Sequence, residues 1–391
     1  MLWVQHLLGT GHLKRAVLLA DAMGRQGLDV TLVSGGMPVP GLLPTGARWI
    51  QLPPVAAADL TFKKLVDAHG HAVDDALRDA RRQALLDVWR RTDPRLLLTE
   101  LFPFGRRQLQ FELLPLLDAA RQSATPALIV SSVRDVLGGG QGDPAREQRM
   151  LALFDRYFDH VLVHGDPDLL PLERSFSHVR ELGSRLHYTG YVVDPADAHR
   201  DAAEPGSPDG LDEVLVSAGG GAVGQPLLEA AIRARALSHA THWRWRVLVG
   251  AGLAEPVFGE LVALARSLHA GAMVVERNRP DFPHLLRRCR LSISQAGYNT
   301  VLETLQAGVR SVMVPFAGAS ENEQTLRAEV LARRGWTELL PQAALTPSAL
   351  ARAVDRACAR AVPATTSLRF DGADASARWV VRQLSNAGVG G

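Results

Sequence analysis

The strongest constraint on this chain is a unit that occurs twice, about two hundred residues apart. Residues 2–8 form an apolar, strand-like run that ends in Gly9-Thr10-Gly11-His12, and an amphipathic helical pattern follows over 14–26. Residues 213–217 (EVLVS) form a second such run, ending in Ala218-Gly219-Gly220-Gly221-Ala222-Val223-Gly224, with a helical pattern from 226 to 236. A strand that hands over to a helix through glycines, and then to another strand, is a βαβ unit. It dictates parallel strands with helices on the sheet faces. Its recurrence at so long a period predicts two similar domains and excludes a solenoid of short repeats.

The remaining pattern fills in both halves. In the first, residues 29–34, 47–52, 96–99, 127–131, 161–164 and 187–193 read as strands, with helices over 62–91 and 109–121. In the second, 245–249, 272–276, 291–294 and 310–315 read as strands, with helices over 299–307, 324–334, 348–359 and 375–384. Between them, residues 194–210 (DPADAHRDAAEPGSPDG) lack apolar periodicity and read as a linker. The expected organisation is therefore a domain over 1–193, the linker, and a domain over 211–391 whose last helix packs back on the first. The fold class is α/β: two Rossmann-like, doubly wound parallel sheets with a cleft between them, at the carboxyl ends of the strands.

Composition narrows the function classes. A net charge of +2 gives no polycation for nucleic acid. Lys14, Lys63 and Lys64 are the only lysines, so 40 of the 43 basic residues are arginine, and an anion clamp here would be arginine or backbone amide. Two cysteines, Cys289 and Cys358, make neither a disulfide framework nor a zinc site, which predicts a reducing compartment. Gly9, Gly11 and His12 interrupt the apolar start, and no run reaches the ~20 apolar residues of a membrane span, so the expected location is cytoplasmic.

Four places carry candidate chemistry. At Gly9-Thr10-Gly11-His12 the glycines allow close ligand approach at a helix N-terminus, and His12 is placed to take a proton from a hydroxyl. Ser34-Gly35-Gly36 stands where a dinucleotide site needs an acidic residue, which argues against NAD. The triple-glycine turn, with Gly219, Gly220 and Gly221, suits phosphate oxygens but lacks the Lys of a Walker loop. Ser294-Gln295-Ala296-Gly297-Tyr298-Asn299-Thr300-Val301-Leu302-Glu303 places Glu303 in a first helical turn, fit to accept from a ribose diol. Ser320, Glu321, Asn322, Glu323 and Gln324 open a helix with groups able to bond sugar hydroxyls. Thr300/Glu303 and Ser320/Glu323 also read as capping boxes.

The run over 294–335 (SQAGYNTVLETLQAGVRSVMVPFAGASENEQTLRAEVLARRG) resembles the donor-binding region of the family 28 glycosyltransferases, which include the lipid-linked N-acetylglucosaminyltransferase of peptidoglycan assembly. The glycine turns at 9–12 and 219–224 match that family's two glycine loops. The resemblance implies a GT-B fold, with the acceptor in the N-terminal domain and a nucleotide-sugar, uridine-linked, in the C-terminal one. It implies an inverting hexosyltransferase that needs no metal and no cofactor, acting on a glycan, lipid or small-molecule hydroxyl.

By that resemblance Gly220 and Gly221 meet the diphosphate, Glu303 the ribose, Asn322 with Gln324 the sugar, and the backbone near Arg277 and Asn278 the base. Gly11, Gly219, Gly297, Asn299, Thr300 and Glu323 complete the donor set. From the chemistry, catalysis falls to His12 as base, with Arg134, followed by Asp135, as candidates to assist the leaving group; an ordinary loop ion pair is the alternative reading of those two. Residues 98–107 (LTELFPFGRR) depart from the peptidoglycan enzyme's acceptor loop and point to another acceptor. Their apolar members Leu101, Phe102 and Phe104, with Leu109, Phe111 and Arg106/Arg107, form a candidate peripheral membrane contact. Two alternatives remain: a non-hydrolysing nucleotide-sugar 2-epimerase, and a non-catalytic sugar-nucleotide-binding scaffold.

Overall fold

The computed structural model describes every residue except 60–63, 126, 139–142, 195–207, 220–222, 270, 318–321, 365–366 and 389–391. The chain divides into one unit of Met1–Val193 with Arg369–Gly391 and a second of Asp194–Leu368. Most of the expected linker, residues 195–207, lies outside the described residues.

The first unit is built on a seven-stranded parallel sheet. Its strands are β1 (Leu2–Val4), β2 (Thr31–Ser34), β3 (Arg48–Gln51), β6 (Leu96–Glu100), β7 (Leu128–Arg134), β8 (His160–His164) and β9 (Leu186–Tyr188), in the order β3-β2-β1-β6-β7-β8-β9. The chain runs outward from β1 to β3 and then restarts on the other side of β1. That reversal creates a switch point between β1 and β6. Period-two alternation feeds both faces. Trp3, Val33, Leu97, Ile129 and Val161 point into one core, and Leu2, Val4, Leu32, Leu98, Val130 and Leu162 into the other. Strands buried on both sides are continuous apolar runs, which is why they are visible in the sequence. Helix α1 (Gly11–Arg25) and the C-terminal helix (Gly372–Gly388) cover the second face, the latter through Ala373, Ala377, Trp379 and Val380. Helices α2 (Asp75–Thr92), α3 (Gln110–Gln122) and α4 (Pro144–Tyr157) line the other core, and α5 (Val179–Leu182) is a single turn.

Two expectations in this unit need correction. Residues 62–91 are not one helix. Strands β4 (Ala56–Ala57) and β5 (Leu65–Val66) pair antiparallel, and Asp67 accepts from the amides of His69 and His71 at 2.8 Å around Gly70, whose φ is +83°. That turn chemistry stops any helix until Asp74 caps α2 by accepting from the Leu77 amide at 2.8 Å. The second correction concerns the membrane patch. Leu101, Phe102, Phe104 and Leu109 are all core residues, with Phe104 packed against Phe154 and Phe176, so they present no apolar surface. Among the described residues no helix is long and apolar enough to cross a membrane.

The second unit holds a six-stranded parallel sheet in the order β12-β11-β10-β13-β14-β15. Its strands are β10 (Glu213–Ser217), β11 (Arg244–Val249), β12 (Met273–Arg277), β13 (Leu291–Ser294), β14 (Ser311–Met313) and β15 (Glu338–Leu339). Its helices are α6 (Gln225–Ala234), α7 (Glu255–His269), α8 (Phe282–Arg288), α9 (Tyr298–Ala307), α10 (Glu323–Arg333) and α11 (Pro347–Ala359). Helix α9 begins at Tyr298 with Gly297 as its N-cap and no side-chain cap bond, so Thr300 and Glu303 form no capping box. Glu303 consequently sits in the second turn, not the first.

Candidate functional site

In the first unit, Leu8, Gly9 and Thr10 are exposed and Gly11 opens α1. Thr10 makes no side-chain cap bond. His12 projects from the first turn, its side chain 14% exposed, with Nδ1 2.9 Å from Glu100 Oε1. Glu100 ends the apolar strand β6 and is 1% exposed. The same oxygen takes a bond from Arg15, one helical turn beyond His12. Arg15 Nη2 also lies 3.2 Å from His12 Nδ1, so both donors converge on one carboxylate.

Electrostatics fix the protonation. Burial alone would raise the Glu100 carboxyl, but the Arg15 charge and the bonds from His12 and Arg15 hold it well below the usual carboxylate range. Burial first, then the charges of Arg106 and Arg134, push His12 well below 6.5 against the pull of Glu100. At neutral pH His12 is therefore neutral beside an ionised Glu100. Because ionised Glu100 can only accept, its 2.9 Å contact assigns the one His12 proton to Nδ1 and leaves Nε2 its lone pair.

Arg106 holds a left-handed conformation, φ 62°, and its Nε donates to the Gln5 carbonyl at 2.7 Å. Burial lowers its pKa to about 10, with Glu100 opposing and Arg134 and Arg15 assisting. Gln5 is held in turn by buried Arg81, which donates to Gln5 Oε1 at 3.1 Å and pairs with Glu112 through bonds of 2.7 and 2.8 Å. A Cβ at Gly35 would strike Gln5 and Arg81, and one at Gly36 would strike the His6 ring. The glycine pair after β2 is thus spent on this packing. Arg134 ends β7 opposite His164 in register, and Asp135 after it is 2% exposed.

In the second unit, turns after β10, β12 and β13 meet. Gly219, φ +75°, donates its amide to Ser217 Oγ at 3.2 Å, and its carbonyl accepts from Asn278 Nδ2 at 3.2 Å. Gln295 Nε2 donates to the Val223 carbonyl at 3.2 Å. Gly220 and Gly221 lie outside the described residues. The Arg277 side chain is engaged below the turn: it donates to the carbonyls of Gly250 and Leu253 at 3.1 and 2.9 Å, pairs with Glu255, and stacks on Phe258. Glu323 pairs with Arg327 at 2.9 Å, and Arg327 donates to the Ala296 carbonyl at 2.9 Å, so this pair braces the turn before α9. Gln324 Oε1 accepts from the Phe316 amide at 3.0 Å. Asn322 is exposed at the start of α10, while Gly297, Asn299, Thr300 and Glu303 are partly exposed around the start of α9.

The structure thus brings His12 and Arg134 together, and separately Gly219, Asn278 and the 295–303 segment. Sequence reasoning gave no site role to Glu100, Arg15 or Arg106, and placed Arg106 in the membrane patch instead. The available signal was a carboxylate ending an otherwise apolar strand at the ligand-binding edge of a parallel sheet.

Residues 220–370 match the model of the glycosyltransferase family 28 C-terminal domain. That span resembles the family 28 C-terminal domain, and the chain as a whole has a GT-B fold. The UDP-N-acetylglucosamine–N-acetylmuramyl-(pentapeptide) pyrophosphoryl-undecaprenol N-acetylglucosamine transferase of Rhodospirillum centenum is 35% identical over 103 residues. That match covers 26% of this chain and 27% of the relative. The Rhodospirillum rubrum enzyme of the same name is 44% identical over 71 residues, 18% of each chain. Among solved structures, the calicheamicin glycosyltransferase CalG4 aligns with a TM-score of 0.63 at 18% identity, covering 99% of this chain and 98% of that one. Acinetobacter baumannii MurG aligns with a TM-score of 0.60 at 16% identity, covering 97% and 99%. At such identities the structural likeness concerns fold, and function must be argued from the site.

Proposed function

We propose that this protein is an inverting glycosyltransferase that moves a hexose or N-acetylhexosamine from a uridine-linked nucleotide-sugar to a hydroxyl of a glycan, lipid or small molecule. The observation that carries this reading is the His12–Glu100 pair: an imidazole at the first βα turn, kept neutral by burial and nearby arginines, with Nδ1 2.9 Å from a buried carboxylate. That is the apparatus for taking a proton from a hydroxyl. The match of residues 220–370 to the glycosyltransferase family 28 C-terminal domain supports assigning the nucleotide-sugar to the second unit.

In this reading His12 Nε2 removes the acceptor proton as the oxygen attacks the anomeric carbon. Glu100 stabilises the imidazolium that results. The bond to the departing nucleoside diphosphate breaks in the same displacement, which inverts the anomeric centre. The amides of Gly219–Gly221 and the N-terminus of α6 take the growing phosphate charge, with Arg134 assisting. Glu303 accepts from the ribose diol. Asn278 supports the glycine turn, and Gly297, Asn299, Thr300 and Asn322 meet the remaining donor groups. Glu323 and Gln324 hold the loops that present them.

The test is a thermal-shift screen of nucleotide-sugars followed by transfer assays with hydroxyl acceptors. A bound donor raises the midpoint by mass action. Stabilisation by UDP-sugars with acceptor-dependent release of UDP supports the reading. Epimerisation of the donor without acceptor, or no response to any nucleotide-sugar, refutes it.

A further inference from the structure

Behind His12 the hydrogen bonds continue inward. Glu100 Oε2 accepts from Ser132 Oγ at 2.8 Å. Ser132 Oγ lies 2.9 Å from His164 Nε2, and His164 Nδ1 lies 2.8 Å from Thr189 Oγ1. Ser132 and His164 have no exposed surface, and Thr189 is 4% exposed. Strand register supplies the row: Glu100 faces Ser132 across β6 and β7, His164 ends β8, and Thr189 follows β9 with its amide on the Val163 carbonyl at 3.0 Å.

A proton inventory gives these bonds one direction. Ionised Glu100 can only accept, so the Ser132 hydroxyl spends its single proton there. The Ser132 oxygen must then accept from His164, which places a proton on Nε2. Burial first, then the charge of Arg15, lowers the His164 pKa to about 3 against Glu100, so this ring is neutral. A neutral imidazole has one N–H, so His164 Nδ1 accepts, and its nearest donor is the Thr189 hydroxyl at 2.8 Å, which also lies at 3.3 and 3.4 Å from the Gly190 and Val163 carbonyls. Thr189, His164 and Ser132 therefore point in sequence at Glu100 from one side, while His12 and Arg15 point at it from the other. The charged groups facing His12 are Arg15 from its own helix, Glu100 from β6, Arg106 from the loop after it and Arg134 from the end of β7. Those acting on His164 are Arg15 from α1 and Glu100.

We infer that His164 is a positioning residue for the base: through Ser132 it keeps Glu100 a pure acceptor, so that His12 carries its proton on Nδ1 and presents Nε2 to the acceptor hydroxyl. The functional half of this inference rests on the transferase reading above, and the tautomer half does not. A bond to a charged group is worth about 1.5–3 kcal/mol, or roughly one to two decades in a proton equilibrium. A Glu100 deprived of the Ser132 donor is more basic, and it raises the proton affinity of His12 through their shared bond.

The experiment is imidazole ¹⁵N NMR on the full chain, with the His12 signals assigned by their loss in His12→Gln, alongside the pH profile of kcat/KM. In the wild type His12 is neutral at pH 7 with its proton on Nδ1. Ser132→Ala and His164→Leu are expected to raise the His12 midpoint by roughly 0.5 pH or more. The acid limb of kcat/KM should move by the same amount, with the donor KM little changed. His164→Gln, which retains an N–H toward Ser132, should keep the midpoint near wild type. A His12 midpoint and tautomer unaltered in folded Ser132→Ala overturns the inference, even if activity falls. If His164→Leu does not fold, Ser132→Ala and His164→Gln carry the test. Absence of any transfer by the wild type refutes the transferase reading instead, and leaves the NMR result to decide the relay.

Discussion

Replacing Glu100 by Gln separates catalysis from stability. The amide keeps the side chain's shape but removes the charge that His12, Arg15 and Ser132 share. His12 then loses both the anion that would stabilise its imidazolium and the constraint on its tautomer. Charge support of a general base accounts for about 10²–10⁴-fold in turnover. The same change leaves the Arg15 guanidinium, 2% exposed, without its counter-charge. Breaking a buried pair on one side costs about 3–5 kcal/mol, which at roughly 2–4 °C per kcal/mol for a unit of about 200 residues lowers the midpoint by roughly 6–20 °C. His12→Ala is the control. It removes the base but leaves Glu100 with Arg15 and Ser132, and its own side chain is already partly exposed, so it should cost only about 1 kcal/mol. Both variants should lose at least about 10²-fold in transfer at saturating donor, measured as release of nucleoside diphosphate, with donor-induced thermal shifts intact. Only Glu100→Gln should melt markedly earlier. Transfer by Glu100→Gln within about threefold of wild type refutes the assignment of the pair as general base and support.

Acid should weaken the first unit. His6, His12, His160, His164 and His187 are all pushed below 6.5, with burial the leading cause. A depressed histidine means the unfolded chain takes its proton first. The stability from these rings is therefore complete above about pH 6.5 and is lost as pH falls below it, by at most about 1.4 kcal/mol each at pH 5.5. Hydrogen exchange of the β8 and β9 amides should quicken from pH 7.5 to 5.5 after correction for the intrinsic rate, and a constant corrected rate would contradict this. Arg81→Leu should destabilise by about 3–5 kcal/mol in urea because Glu112 is left buried and alone, while Arg81→Leu with Glu112→Leu should recover most of it; equal losses in both would refute the pairing. Glu303→Gln should weaken UDP-sugar binding by roughly 10–100-fold by calorimetry, and unchanged affinity would remove the ribose role.

How much was legible follows from what each feature depends on. Residues 96–99, 127–131 and 291–294 are strands buried on both faces, so their apolar runs announce themselves, and the glycine turns after β1 and β10 mark where the sheet meets its helices. The His12–Glu100 pair was half legible. His12 stood in a recognisable turn, but its partner lies 88 residues away, in a stretch that reads as the start of a loop. Only the β1–β6 adjacency brings them together, and no local pattern encodes adjacency. Ser132 and His164 were hidden for the same reason. The helix expected over residues 62–91 begins only at Asp75, because Asp67 and Gly70 organise a local turn before it.

The two units use one geometry with different side chains, and in the proposed function that difference separates their roles. In each, the first strand of the sheet has as neighbour the strand that restarts the chain on its other side: β6 beside β1 and β13 beside β10. The last residue of that neighbour is Glu100 in the first unit and Ser294 in the second. The second residue of the following helix is His12 in α1 and Pro226 in α6. A carboxylate facing an imidazole makes a proton site, and it can serve only a reactant that gives up a proton. A neutral serine, a proline and a turn of glycine amides carry no titrating group there. They leave the partial positive charge of backbone N–H groups to act on an anion. In the proposed function the acceptor hydroxyl is accordingly assigned to the first unit, where the proton site lies, and the nucleotide to the second. A transplanted carboxylate, Ser294→Glu, should abolish donor-induced stabilisation of the folded protein. If UDP-sugar still shifts the midpoint of that variant as in the wild type, the division of labour argued from charge is wrong.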